Sequence, residues 1–583
     1  MDISVRSTAS ANAKLSLLSE DRVAEYFMAA ALILPVLLFL RVLFFDFVYD
    51  DEVQILANPW IHSFRNLPTF FTQPVWGFLH RPGIHGYYRP LFLVLLTVCY
   101  KLFGEEPLGW HAVSLILHVF TVGAVLWTGR KLLQDRLAAS LGALLFAINP
   151  VHTEPISWIS NLPEILFTFF VVLSFGAYLR AVENESSSRW WWFLSWSTAF
   201  LGLLSKETAL CLPILIFLHA TLLPRSAGAS GFGRAKNALA LATPYLALSS
   251  VVFFARHYAL QSTRAAGYPE LFGSLVHAPA AIVFYLWHLA FPFHLALFYS
   301  MPHFYSPTPG VAFLWMVLFT ILFGGVAFVL RRFPTALFFV LWIALTILPA
   351  IVALGSFGLY DAIHDRYLYL PSVGFSWLIA LPVVRRETWS FPRQRVWFAA
   401  VGFPLCVSWS VGCFHENQYW RNNFTLYERA AQRSPENVLA LTSYGLQYDR
   451  QGQPEEAANL LRKASALDPD YFSSWNGLGA VEAKLNHVPE ARVAFARADA
   501  LVPEAQPAVH AQIALQLAEM ELRTGNPQGA ILDLQKTLAI APDNPKAHVG
   551  LAAAYALEGR TEDATKEQQI ANALYSRTIA KSH

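Results

Sequence analysis

The first 420 positions are organised as long apolar runs joined by short polar links, whereas the last 163 carry apolar residues at helical spacing among charges. The run from Tyr26 to Phe45 is about 20 residues, enough to cross roughly 30 Å of hydrocarbon, and predicts a first transmembrane helix. Residues 1–23 before it are polar, and the run is too long for the apolar stretch of a cleaved signal, so this helix is expected to stay. Further runs at about 109–129, 137–150, 162–181, 190–205, 208–223, 238–255, 311–330, 335–354, 367–384 and 396–414 bring the expected spans to about eleven. The 14-residue stretch 90–103 is read as an interfacial helix, and 276–299, interrupted by Pro292 and His294, as a re-entrant or doubled-back segment.

The distribution of basic residues tests this topology. With an inward N-terminus, Arg130, Lys131, Arg136, Arg189, Arg225, Arg234, Lys236, Arg331, Arg332, Arg385, Arg386, Arg393 and Arg395 all fall in inner loops. Counting either ambiguous stretch alone as a span would reverse the later loops. The outward segments are then 46–108, 151–161, the junction near 206, 256–310 and 355–366, with the C-terminal region outside as well.

That C-terminal region repeats. Prolines open similar segments at Pro435, Pro469, Pro503 and Pro542, at spacings of 34, 34 and 39, and 34 residues is the tetratricopeptide period. Gly445, Gly479 and Gly550 are expected to hold a small-residue position on the first helix of a repeat, and Ala457, Ala491, Ala530 and Ala564 the matching position on the second. Helix pairs of this kind bury their apolar faces against neighbours and present a concave surface suited to extended peptides or partner proteins. The expected organisation is an inner N-terminal segment 1–23, a membrane domain 24–414 with its first outer loop at 46–108, and a linker with partial repeat at 415–434. Four repeats follow at 435–468, 469–502, 503–541 and 542–575, then a tail at 576–583. The fold class is all-α, a polytopic membrane bundle followed by an α-solenoid.

Composition agrees with two solvents. Residues 421–583 hold 35 of the 82 charged side chains, and 17 of the 18 tryptophans precede them. A formal net charge of +2 gives no basis for a strongly basic nucleic-acid binder. Cys99, Cys211, Cys406 and Cys413 lie in apolar runs without C-x-x-C spacing and read as core packing.

Ionisable residues gather on the expected outer side. Asp50, Asp51 and Glu52 follow the first span directly, and adjacent carboxyl groups raise at least one another's pKa, which suits a general base. An ordinary capping turn would look the same in isolation. The same side also collects His80, Arg81, His85 and Arg89, then His152 and Glu154, Glu164, Lys206 and Glu207, and finally Asp361, His364, Asp365 and Arg366. Charges that interrupt apolar segments are costly and are functional candidates by default. His111 and His118, seven apart in one span, read as interhelical hydrogen-bond partners. The outer acids and histidines have no metal-ligand spacing, and no metal site is expected.

FVYDDEVQILANPWI, YYRPLFLVLLTVCYKLFGEEPLGWHAVSLILHVF, NPVHTEPISWIS, LLSKET and DRYLYLPSVGF, in this order and ahead of tetratricopeptide repeats, resemble the transmembrane and tetratricopeptide repeat-containing O-mannosyltransferase family and its bacterial relatives. The resemblance spans essentially the whole chain. It implies a GT-C type membrane enzyme that takes a sugar from a polyprenyl phosphate carrier to an acceptor on the outer side, with inversion. It also implies an acidic catalytic motif in the first outer loop, here Asp50 and Asp51. Related sequences often read Asp-Glu, and Asp50-Asp51-Glu52 aligns in either register, so either aspartate can be the base.

Such a transfer needs a base for the acceptor hydroxyl and cations for the leaving phosphate. Asp50 or Asp51 fills the first role, with Glu52 in support. Arg89, Lys206 and Arg366 are the phosphate-binding candidates, and His152, Glu154, Glu207 and Asp365 are supporting ones. The donor is expected to be a lipid-linked sugar, and no other cofactor has a motif. Membrane lipid and an acceptor protein or partner peptide on the repeats are the expected partners. A membrane-anchored scaffold without catalysis is the alternative, and a transporter a weaker third. The sequon at Asn423 reads as a chance match. The topology fits a bacterial plasma membrane or the endoplasmic reticulum, and short loops favour the former.

Overall fold

The computed structural model of the chain describes residues 2–79, 86–183, 188–224, 231–260, 271–299, 309–354, 361–384, 398–504 and 506–582. His80, Arg81, His85, Arg225, Arg385, Arg386, Arg393 and Arg395 lie outside them. Among the described residues there is no β-strand, as the apolar periodicity leads one to expect. The chain divides into two compact units, one largely up to Leu426 and one largely from Tyr427 onward.

The first unit contains α1 (Asp2–Phe39), α2 (Pro90–Phe103), α3 (Pro107–Leu133), α4 (Arg136–Ala147), α5 (Leu162–Glu183), α6 (Ser188–Ser205), α7 (Leu212–Leu222), α8 (Gly231–Ala259), α9 (Leu271–Ala290), α10 (Pro309–Leu330), α11 (Pro334–Ala353), α12 (Tyr369–Val384) and α13 (Phe403–Glu416). Seven described segments are long and apolar enough to cross a membrane: Asp21–Phe44, Pro107–Leu133, Ile159–Glu183, Gly231–Ala259, Phe313–Leu330, Pro334–Ala353 and Asp365–Val384. Of the other expected spans, 137–150 and 208–223 are realised as the shorter apolar helices Arg136–Ala147 and Glu207–Leu222. The 12-residue α4 is the instructive case, since it rises only about 18 Å and cannot bridge the hydrocarbon alone. Every residue of α4 from Leu137 to Ala147 is buried, and the helix packs on α1, α3 and α12. Its alanines and Gly142 permit that close approach, and Asp135 caps it by accepting from the Ala138 N–H at 2.8 Å. The segment read as re-entrant is a helix that runs through Pro279 and ends at Ala290, just ahead of Phe291 and Pro292.

At one end of the unit Arg136 pairs with Asp21 at 3.2 Å, and Lys131 with Glu183 at 3.1 Å, so the start of the first span meets the α3–α4 link and the C-terminus of α5. At the other lie the acidic turn after α1, the 149–161 turn before α5, and the α6–α7 junction.

The second unit is a stack of helix pairs: α15 (Val438–Arg450) with α16 (Pro454–Leu467), α17 (Phe472–Lys484) with α18 (Val488–Leu501), α19 (Pro507–Arg523) with α20 (Pro527–Ile540), and α21 (Pro545–Leu557) with α22 (Thr561–Ser582); α14 (Asn423–Arg433) precedes them, its first residues, Asn423 to Leu426, belonging to the first unit. Proline in the first turn and asparagine caps at Asn437, Asn526 and Asn544 start these helices. Gly445 and Gly479 face the second helix of their own pair, where a Cβ would meet Leu461 Cγ at 3.0 Å and Phe495 Cδ1 at 2.7 Å. Gly550 does not hold that position: its absent Cβ faces Leu534 of the preceding pair, at 2.8 Å. Gly550 stands eight residues after its proline, where Gly445 and Gly479 stand ten after theirs, so it matches Gly477, whose Cβ would also meet the preceding pair. Ala457, Ala491 and Ala530 are fully buried as expected, with Ala564 half-buried.

Candidate active site

The acidic turn is built on an unusual backbone. After a tight turn over Leu40–Phe44 the chain extends, Phe47 and Val48 enter the core, and Tyr49 adopts a left-handed conformation with φ 54°. A bulky residue there is strained, and such strain persists only where surroundings over-determine it. Here the Tyr49 N–H donates to Asn423 Oδ1 at 2.8 Å, and the Tyr49 ring lies 5.1 Å from that of Trp158. The strained residue turns the chain into a wide helical turn over Glu52–Leu56, with Ala57 N–H on the Glu52 carbonyl at 3.1 Å.

The two aspartates differ sharply. Asp51 is fully buried, and its Oδ1 accepts from the Ser160 N–H at 2.7 Å and the Ser160 hydroxyl at 2.6 Å, while Oδ2 accepts from Val48 N–H at 3.3 Å. Asp50 is partly open. Burial pushes its pKa up from 3.8 to about 7, with Arg366 pulling it down and Asp51 and Asp361 pushing it further up. Asp51 is likewise raised to about 7 by burial, against the Ser160 donors that favour its ionised form. Glu52 accepts from Asn423 Nδ2 at 2.7 Å, so the amide nitrogen of the sequon is engaged inside the protein.

Each predicted cation has a carboxylate beside it. Arg366 Nη1 and its backbone N–H reach the two oxygens of Glu154 at 2.8 and 3.1 Å. Arg89 forks onto Glu207 through Nη2 at 2.9 Å and Nε at 3.4 Å, and lies 4.2 Å from the Tyr87 ring centre. Lys206 pairs with Glu164 and is sealed from solvent. Tyr367 joins these pairs: its ring centre is 5.0 Å from Lys206 Nζ and 5.1 Å from Arg366 Cζ. Arg366 also stands over Trp158 at 5.2 Å. Asp50, Arg366, Tyr367, Lys206 and Arg89 therefore share one neighbourhood, with Arg89 and Arg366 partly open and Lys206 buried behind them.

The remaining candidates support this frame. His288 Nδ1 lies 2.8 Å from Asp365 Oδ1, which fixes the turn carrying Arg366. His152 contacts Ser372 Oγ through Nε2 at 2.8 Å, its ring 4.5 Å from those of both Phe146 and Tyr369. Burial drives its pKa well below 6.5, so it is neutral at pH 7. His118 is an interhelical partner, with Nδ1 2.7 Å from the Tyr369 hydroxyl and Nε2 3.2 Å from Ala147 O, while His111 packs edge-on against Phe45. Ser160, Trp158, Glu164 and Asn423 stand in the geometry without a role read from sequence. A buried acid that must be satisfied gives the only advance signal for Ser160, and Asn423 lies some 370 residues from its partners.

Residues 82–253 match the family described as dolichyl-phosphate-mannose-protein mannosyltransferase, and residues 445–507 and 521–567 match tetratricopeptide repeat families. The chain is similar to protein O-mannosyl-transferase TMTC3 of Homo sapiens, at 24% identity over 80% of this chain and 54% of that protein. Protein O-mannosyl-transferase F38B6.6 of Caenorhabditis elegans is 26% identical over 73% of this chain and 60% of its own length. Protein O-mannosyl-transferase TMTC4 of Homo sapiens reaches 34% over 28% of this chain and 25% of its own. The chain spans only a little over half the length of the relatives it matches most extensively. Its apolar helices and the matched family make it a multi-pass membrane protein. A segment matching the mannosyltransferase family, followed by tetratricopeptide repeats, makes the chain similar to the tetratricopeptide repeat-containing protein O-mannosyl-transferases.

Proposed function

We propose that this chain is a membrane glycosyltransferase that moves a hexose, such as mannose, from a polyprenyl phosphate carrier to a hydroxyl of a protein acceptor. The reaction runs on the non-cytosolic face. Short loops favour a bacterial plasma membrane, with the acidic turn and the repeats in the periplasm and the repeats recruiting the acceptor. The organisation read from the sequence, a membrane domain at 24–414, a linker at 415–434 and four repeats over 435–575, is the division of labour this reading uses.

Asp50 is the base. Its carboxylate takes the acceptor hydroxyl proton as that oxygen bonds to the anomeric carbon. The bond from that carbon to the carrier phosphate oxygen breaks, and its electron pair leaves on the phosphate. One displacement inverts the configuration. Arg366 keeps Nε and Nη2, and Arg89 keeps Nη1, beyond the atoms given to their glutamates, and these N–H groups meet the leaving phosphate. Lys206 and Glu164 position Tyr367 rather than touch the donor. Asp51 holds the turn through Ser160.

The observation that carries the reading is the contrast within the acid pair: one carboxyl is fully buried with both oxygens engaged, and its neighbour is partly open. The test is transfer from a polyprenyl-phosphate sugar by the purified full chain. Asp50→Asn is expected to lower kcat by about 100-fold or more, the usual weight of a positioned base. Asp51→Asn, which keeps one acceptor for Ser160, is expected to lose less activity and more thermal stability. An Asp50→Asn enzyme within tenfold of the parent would refute the assignment.

A further inference from the structure

We propose that Asn423 is a positioning residue for the acid pair, its side-chain amide holding Tyr49 in the left-handed conformation from which Asp50 is presented. This deepens the reading of Asp50 as the base and rests on it. Asn423 opens α14, beyond the last apolar helix, yet its two amide atoms bracket the acidic turn. Oδ1 accepts from the Tyr49 N–H at 2.8 Å and Nδ2 donates to Glu52 Oε1 at 2.7 Å, so one planar group bridges the residue before Asp50–Asp51 and the residue after it. The neighbouring backbone is tied in the same sense, with the Asp46 N–H on the Arg421 carbonyl at 3.0 Å. Asn422 and Thr425 lock the start of α14, so Asn423 is itself held: Asn422 Oδ1 accepts from Thr425 N–H at 3.0 Å, and Thr425 Oγ1 donates to the Tyr419 carbonyl at 3.1 Å.

A tyrosine at φ 54° is strained relative to extended backbone. Without the clamp the turn has a downhill route, rotation of the Tyr49 peptide, and that rotation swings the following carboxylate away from Arg366. Small displacements of a base lower the chemical step while leaving donor binding intact.

The polarity of the clamp supplies the test. Asn423→Asp keeps an acceptor for Tyr49 but sets a carboxylate against Glu52. Asn423→Asp combined with Glu52→Gln reverses the second hydrogen bond, with the glutamine amide donating to the aspartate, and restores both contacts. In the full chain, Asn423→Asp is expected to lower kcat about tenfold or more with the donor KM within about threefold, and the double variant to recover most of that loss, a coupling that a double-mutant cycle reads directly. Hydrogen exchange gives a readout independent of catalysis: the amide of Tyr49 is expected to exchange faster in Asn423→Asp and to regain protection in the double variant. Asn423→Ala, which adds no charge, should lose kcat similarly and serves if Asn423→Asp does not fold. Parental kcat and exchange in Asn423→Ala, or a double variant no better than Asn423→Asp, would overturn the proposal. Should Asp50→Asn itself retain activity, the base assignment falls, while the exchange readout still decides whether Asn423 holds the turn.

Discussion

Two chemically identical side chains, one peptide apart, are made different by what surrounds them. Asp51 is closed by Ser160 and Val48, and Asp50 is partly open, with the Arg366 charge pulling its pKa down. Because burial lifts the Asp50 pKa to about 7, its basic form grows in as pH rises, and kcat/KM is expected to climb through about pH 7 to a plateau. Stability should move the other way. Between about pH 4 and 7 folded Asp50 keeps a proton that the unfolded chain has released, so its contribution falls as pH rises across that window. Asp50→Asn is therefore expected to raise the thermal midpoint at pH 8 and leave it nearly unchanged at pH 4, measured by differential scanning fluorimetry. For Arg366, lysine keeps the charge and loses the planar fork, so Arg366→Lys should raise the donor KM about tenfold in initial-rate assays.

At the scale of elements, the apolar runs announce helices plainly, because a backbone in hydrocarbon has no other local way to satisfy its hydrogen bonds. Length is less legible. The stretch that became α4 looks like a span by hydropathy, but its 12 helical residues are buried by neighbours instead of lipid, and composition does not distinguish those two apolar surroundings. The repeat period is equally plain, and its register is not, as Gly550 illustrates. Close packing in the solenoid carries its own expectation. A Cβ on Gly479 would stand 2.7 Å from Phe495 Cδ1, so Gly479→Ala should cost about 1–3 kcal/mol, seen as an earlier unfolding step of the repeats in a thermal scan of the full chain.

Across the whole molecule, the residues that matter come from segments far apart in sequence that converge because apolar helices return to the same end. The candidate list was legible since charges beside apolar runs are conspicuous: Asp50, Arg89, Lys206 and Arg366 do share a neighbourhood. Their pairing was not legible. Which glutamate meets which cation depends on helix order: the sequence marks Glu154 and Glu207 as supporting residues and Glu164 as a further outer acid, without their partners. Nor does any local signal single out Asn423, whose partners are set by the way the chain leaves the bundle.

The three resident glutamates have a consequence for turnover. Under the proposed reaction a sugar phosphodiester with one negative charge becomes a monoester that can carry two, so a chamber of bare cations would grip the spent carrier more tightly than the loaded one. With each cation already matched by an acid, the site is close to electrically balanced, and the glutamates stay paired while the spare N–H groups meet the phosphate under the proposed reaction. Under that reaction the glutamates would offset part of the added pull on the spent carrier.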